Sequence, residues 1–160
     1  MSKEYRVLPS LNEALAMTNS LYVNPVDATT PYVRMGPNVY KCIPHPEVEW
    51  GTVRMNAIAR RSLGYGAEKV TLHDFVPTSV PTVKKLVVKA EPVKRDPLLV
   101  VAPTDLVNII RNNLYGNVVC FDQKFTFMAG DHAILVTVTD ADSQGFVDLS
   151  TEVNMMWCNA

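Results

Sequence analysis

The segment His45-Pro46-Glu47-Val48-Glu49-Trp50-Gly51-Thr52-Val53-Arg54-Met55 joins a proline-bracketed turn to a short β-branched run. A proline on each side of the histidine fixes the backbone in an extended turn, so a structural role for His45 is favoured over a catalytic one. The run after Gly51 predicts a strand over residues 52–56. A short helical turn is predicted immediately after it, over residues 57–63.

Prolines and glycines also interrupt the sequence on both sides of this segment. Eleven prolines and seven glycines divide the sequence into short pieces, which is typical of a β-rich protein. Further strands are predicted over residues 14–18, 32–35, 39–43, 69–75, 83–90, 118–121, 124–128, 132–139 and 152–157. One longer helix is predicted, with Thr104 as its N-cap and Gly116 ending it. Its apolar residues recur at helical spacing and form one stripe: Leu106, Ile109, Ile110 and Leu114.

A charged segment between Pro92 and Pro97 separates the strand-rich first part of the chain from the part that contains the longer helix. Proline cannot donate to a sheet ladder, so two prolines around charged residues predict a linker. We therefore expect an all-β part over residues 1–90, a linker over 91–97 and an α+β part over 98–160.

Composition excludes several classes of protein. The 160 residues are 48% hydrophobic and 19% charged, with a formal net charge of −1, so a folded chain is expected and general nucleic-acid binding is disfavoured. No apolar run approaches the length of a membrane span, and the first residues lack the apolar core of a secretory signal. The three cysteines, Cys42, Cys120 and Cys158, form no CxxC pair and are expected to be buried or partly buried thiols in a reducing compartment. These features predict a cytoplasmic protein without membrane insertion.

Motifs that carry chemistry are missing from the sequence. It contains no GxxxxGK[ST], GxGxxG, GxSxG or HExxH pattern. Asp140-Ala141-Asp142-Ser143 lacks the glycine and distal glutamate of a calcium loop and is expected to be an acidic surface turn. We therefore expect no catalytic residues, no metal site and no cofactor.

Basic doublets are the remaining feature. Arg60-Arg61 lies on the predicted helical turn with Arg54 just before it, and Lys94-Arg95 lies in the predicted linker. Any one doublet alone is an ordinary solvated surface, but two doublets at a domain boundary could converge on a cleft. Because the planar guanidinium binds both oxygens of a carboxylate, the expected partner is an acidic protein surface.

The quoted segment, followed by Arg60 and Gly64, resembles the amino-terminal substrate- and adaptor-binding domain of the AAA+ ATPases related to N-ethylmaleimide-sensitive factor. In that family a His-Pro dipeptide precedes a Gly-x-Val strand and a short helical turn that carries an arginine. The resemblance extends over roughly residues 5 to 140 and is strongest between 31 and 75.

The resemblance implies a double-psi β-barrel followed by a smaller α+β subdomain, with a basic groove between them. In the vesicle-fusion branch, that groove binds an acidic SNAP adaptor and through it SNARE complexes for disassembly. The two basic pairs of the family fall on Arg60 and Arg61, and on Lys94 and Arg95, which favours this branch. Such a domain is expected to be a monomer in isolation and a hexamer when attached to its ATPase.

The chain is shorter than the usual domain of the family that it resembles, and we expect the shortening to lie in its second part. No ATPase module follows residue 160, so an excised domain and a stand-alone copy both remain open. Three alternative functions rank below the vesicle-fusion module. The first is a ubiquitin-pathway cofactor-binding domain like that of valosin-containing protein, which would bind a hydrophobic peptide in the same groove. The others are an enzyme built on the barrel and a nucleic-acid binder.

Overall fold

The chain folds into two compact units, Met1–Pro77 and Thr78–Ala160. The structure, a computed structural model, describes residues 2–64, 66–94, 96, 98–141 and 144–158. Strands dominate both units, which confirms the expectation of a mainly β protein.

The first unit is a closed six-stranded β-barrel. Its elements are β1 (Ser2–Pro9), α1 (Glu13–Ala16), β2 (Leu21–Val23), β3 (Tyr32–Met35), β4 (Asn38–Pro44), β5 (Thr52–Met55), α2 (Ala57–Ser62) and β6 (Lys69–Asp74). Around the barrel the strands follow the order β1-β5-β2-β4-β3-β6. The pairs β1/β5 and β2/β4 are parallel and the other four are antiparallel. Closure leaves the barrel without an open sheet edge.

Apolar side chains fill the barrel interior. Leu21, Val23, Val53, Met55 and Met35 are all at most 1% exposed. Along β3 burial alternates with exposure, whereas all three residues of β2 are buried. The barrel core therefore depends on strands that only partly show the period-two pattern.

The second unit is built on a four-stranded sheet. Its elements are β7 (Lys85–Pro92), α3 (Pro103–Leu114), β8 (Val118–Val119), β9 (Lys124–Ala129), β10 (His132–Ala141), β11 (Gly145–Phe146) and β12 (Glu152–Trp157). The sheet order is β12-β7-β10-β9, with β12 parallel to β7 and the other pairs antiparallel, and β8 pairs with β11 separately. The buried stripe of α3, Leu106, Ile110 and Leu114, belongs to the apolar core formed with this sheet.

Two local predictions are wrong. Residues 14–18 were expected to form a strand, but α1 covers Glu13–Ala16, because the Asn12 side chain accepts a hydrogen bond from the Leu15 N–H at 2.9 Å and caps a helix there. The N-cap of α3 is Ala102 rather than Thr104. Pro103 occupies the first helical position, where its missing N–H costs no intrahelical bond.

The observed division of the chain differs from the expected one. Strand β7 pairs with both β10 and β12, so residues 85–92 belong to the second unit rather than to the barrel or a linker. Pro92 is tolerated because the β12 pairing ends at Ala90, leaving β10 as the neighbour that pairs with it. Among the described residues, no helix has the length and apolar character needed to cross a membrane.

Candidate functional site

Helix α2 positions the first basic doublet. The Asn56 side chain accepts a hydrogen bond from the Ala59 N–H at 2.8 Å and thereby caps the helix. The amide nitrogen of Asn56 also donates to the Ala16 carbonyl at 2.8 Å, which ties the start of α2 to the end of α1. Arg60 and Arg61 lie in the last turn, where cations interact favourably with the helix dipole. The predicted helical turn is confirmed, and its orientation is set by Asn56.

A surface pocket of about 580 Å³ surrounds this doublet. Its wall includes Ala57, Arg60, Arg61, Gly64 and Gly66. The glycines have φ angles of +94° and +74°, a left-handed conformation that L side chains rarely adopt. Gly64 and Gly66 therefore contribute only backbone atoms to the pocket wall.

The two arginines differ in exposure. Arg61 is exposed, whereas Arg60 is half-buried and its Nε atom is buried. Among the residues that the structure describes, the Arg60 Nε has no hydrogen-bond partner. Because guanidinium N–H groups bind carboxylates in a fork geometry, the doublet offers donors for an acidic partner.

Arg54, the third predicted binding residue, forms hydrogen bonds within the barrel unit. Its guanidinium donates to the Glu49 carboxylate at 2.9 Å and to the Pro9 carbonyl at 3.1 Å, and its side chain is only 18% exposed. The hydrogen bond from Arg54 holds the pKa of Glu49 below its usual value. Arg54 therefore links β5 to the end of β1, and its predicted role in partner binding stays a prediction.

The second basic pair lies in the other unit. Lys94 is exposed and follows the end of β7 at Pro92. Arg95 lies outside the described residues. The structure thus places Arg60 and Arg61 together in one pocket and shows Lys94 as a solvent-exposed cation of the second unit.

The histidine of the quoted segment has a local structural role. The Nδ1 of His45 accepts a hydrogen bond from the Glu47 N–H at 3.2 Å, and its ring meets the Tyr22 ring edge-on at 6.2 Å. Within the described parts of the chain, no group of three or more His, Cys, Asp or Glu side chains could hold a metal ion.

Sequence reasoning missed a second pocket, of about 240 Å³, in the barrel unit. Asp27 is central to it, because its buried carboxylate accepts hydrogen bonds from Lys3 and, at 2.8 Å, from the Gly51 N–H. Burial alone would raise the pKa of Asp27, but these hydrogen bonds and the charge of Lys3 outweigh it and lower the pKa. No local signal marks this cluster, since Asp27 is 24 residues distant from each partner along the chain.

No protein-family model matches the chain, and no curated protein matches it at a significant level. A function for the chain therefore rests on the chemistry of its own residues.

Proposed function

We propose that the chain is a non-catalytic adaptor-binding module of the vesicle-fusion type. It binds an acidic SNAP-like adaptor and through it recruits SNARE complexes for disassembly by an AAA+ ATPase. The observation that carries this proposal is the pocket lined by Arg60 and Arg61, in which the exposed Arg61 presents a guanidinium that a carboxylate can reach. The proposal includes a double-psi connectivity for the barrel, an α+β second subdomain and a cytoplasmic location.

Each basic residue has a distinct part in the proposed interaction. Arg60 and Arg61 bind carboxylates of the adaptor, and the sequence-adjacent Lys94 and Arg95 are proposed as a second basic pair for the same partner. Arg54 supports the site indirectly, because its bonds to Glu49 and Pro9 fix the strand that leads into α2.

The small free energy of each exposed ion pair predicts a modest affinity of an isolated module for its adaptor. Exposed ion pairs each contribute only about 0.2–1 kcal/mol, so four basic residues supply a few kcal/mol at most. Ion pairs of that size alone correspond to a dissociation constant of about 1 mM at best, so the micromolar range that we expect for one copy requires further contacts with the adaptor. Six linked copies in a hexameric ATPase would gain avidity without any new contact.

The salt dependence of binding tests this function. In calorimetric titrations of the chain with a purified SNAP adaptor, we expect binding at low salt that weakens at physiological salt, because the Debye length falls to about 8 Å. Adaptor assembled on a SNARE bundle should bind more tightly than free adaptor. Absence of binding at both salt concentrations would contradict the proposal. Salt-insensitive binding to a hydrophobic cofactor peptide would favour the valosin-containing-protein alternative.

A further inference from the structure

Strand β12 forms one edge of the four-stranded sheet. It pairs with β7 alone, and within the part of the chain that the structure describes no second strand pairs with its other side. At the opposite edge of the sheet, β9 is covered, because Phe125, Thr126 and Phe127 are at most 6% exposed. In β12 only Val153 is buried, and Met156 is 54% exposed. β12 is therefore the less covered of the two edges.

The bonds of β12 to its neighbour show which backbone groups face the open edge. The Glu152 N–H donates to the Lys84 carbonyl at 2.9 Å, and the Cys158 N–H donates to a β7 carbonyl at 2.8 Å. In a strand, backbone groups that face the same neighbour recur at every second residue. Three residues alternate with these and turn their N–H and C=O groups to the open edge: Val153, Met155 and Trp157.

β12 lacks the features by which proteins protect sheet edges. Such features are lysine or proline residues, β-bulges and very short strands. The strand has six residues, Glu-Val-Asn-Met-Met-Trp, and pairs with β7 in an unbroken register. Its only charged residue is Glu152, at one end. An edge of this kind accepts a further β-strand.

We propose that this edge binds the β12 strand of a second copy of the chain, with the two strands antiparallel across a twofold axis at Met155. In this register Met155 lies opposite its counterpart, and Val153 lies opposite Trp157 of the partner subunit. The result is three hydrogen-bonded residue pairs, which exchange two backbone bonds each. Every backbone group that β12 turns to the open edge thereby gains a partner.

The sequence of β12 is suited to its own edge. Met155 and Trp157 pack against the apolar core of the second unit from one face of the sheet. A twofold axis perpendicular to the sheet keeps these side chains on the same face in both copies, so apolar residues lie opposite apolar residues. Antiparallel pairing places the two Glu152 carboxylates at opposite ends, whereas parallel pairing would oppose like charges. The interface lies in the second unit and uses no residue of the α2 pocket, so it is independent of adaptor binding.

Sedimentation equilibrium of the full chain tests the proposal. Between about 10 μM and about 1 mM protein, we expect the apparent mass to rise from 17.8 kDa toward twice that value, because association follows mass action. The rise should depend little on salt, since backbone hydrogen bonds and apolar contacts hold the strands together. A mass of 17.8 kDa at every concentration would overturn the proposal.

A charge at the twofold axis tests the location of the interface. Met155→Lys should weaken dimerisation about threefold or more, because two ammonium groups would lie opposite each other. The matched control Met128→Lys adds the same charge to β9, where Met128 is 41% exposed, and should leave dimerisation unchanged. Undiminished dimerisation of folded Met155→Lys protein, or an equal effect of both substitutions, would refute the β12 interface.

Disulfide cross-linking tests the register and decides the question if Met155→Lys does not fold. Residues of a hydrogen-bonded antiparallel pair have Cα atoms about 5.5 Å apart, a distance that a disulfide spans. In a chain with Cys120→Ser and Cys158→Ser, Met155→Cys should form a covalent dimer under mild oxidation. Met156→Cys is the control, because Met156 lies opposite Asn154 of the partner subunit and its own counterpart is out of disulfide range. No cross-link at position 155, or equally fast cross-linking at both positions, would overturn the proposed pairing.

Discussion

The double variant Arg60→Glu, Arg61→Glu should lose detectable binding to a SNAP adaptor while remaining folded. Each reversal replaces an attraction of about 0.2–1 kcal/mol with a repulsion of similar size, so the pair costs about 0.8–4 kcal/mol and raises Kd between about fourfold and several hundredfold. In the upper part of this range, a micromolar affinity falls out of calorimetric detection. The free energy of unfolding should fall by no more than about 1 kcal/mol, mainly because glutamates in the last helical turn interact unfavourably with the dipole.

A matched control lies in the other unit. Lys84 and Lys85 form an exposed basic doublet, and reversing both changes the net charge of the chain by the same amount. This control should reduce adaptor binding far less than the α2 variant. Retained binding by folded Arg60→Glu, Arg61→Glu protein, or an equal loss in the lysine control, would remove the α2 pocket from the proposed mechanism.

The substitution Asp27→Ala should produce a large loss of stability, of about 2–4 kcal/mol. The Asp27 side chain is only 5% exposed and accepts hydrogen bonds from Lys3 and from the Gly51 N–H. Its removal leaves that N–H without its acceptor. Because the Lys3 side chain is 52% exposed and can be solvated, we expect a value nearer the lower end. Denaturant unfolding at pH 7 measures the change.

The same residue predicts a pH dependence. The pKa of Asp27 is lowered on folding, so its contribution to stability is present above the unfolded-state value of about 3.8. That contribution is lost as the pH falls below this value and through the folded pKa. Asp27→Asn should therefore flatten the acid limb of the stability profile relative to the wild type.

Glu4→Ala is a matched control for Asp27→Ala. Glu4 pairs with Lys69 at 3.8 Å, and both side chains are largely exposed, so we expect a loss below about 0.5 kcal/mol. Equal losses for Asp27→Ala and Glu4→Ala, or an acid limb unchanged in Asp27→Asn, would show that the Asp27 cluster does not stabilise the barrel.

Strands with clear local patterns were predictable from the sequence. β12 was expected over residues 152–157, where it is found, and the strand expected over residues 83–90 overlaps β7, in which Leu86, Val88 and Ala90 are buried. β1 and β2 were missed. β1 is rich in polar residues, and β2 is three residues long with every side chain buried, so neither shows a strong period-two signal.

Features that depend on distant pairing were not predictable. The domain boundary was misplaced because β7 finds its partners β10 and β12 more than forty residues later in the chain, which no local pattern reveals. The Arg60-Arg61 doublet was found because it is contiguous. The hydrogen bond of Arg54 to the Pro9 carbonyl was not predicted, since the two residues are 45 positions apart in the chain.

The central claim is that the α2 pocket binds an acidic adaptor, and NMR mapping of the isotope-labelled chain tests it most directly. Unlabelled SNAP adaptor would be titrated at physiological salt while backbone amide and arginine side-chain signals are followed. We predict saturable shifts concentrated at residues 57–66, with the Arg60 and Arg61 guanidinium signals among the most perturbed. Saturable shifts that leave this segment unchanged, or no shifts at adaptor concentrations well above micromolar, would contradict the account.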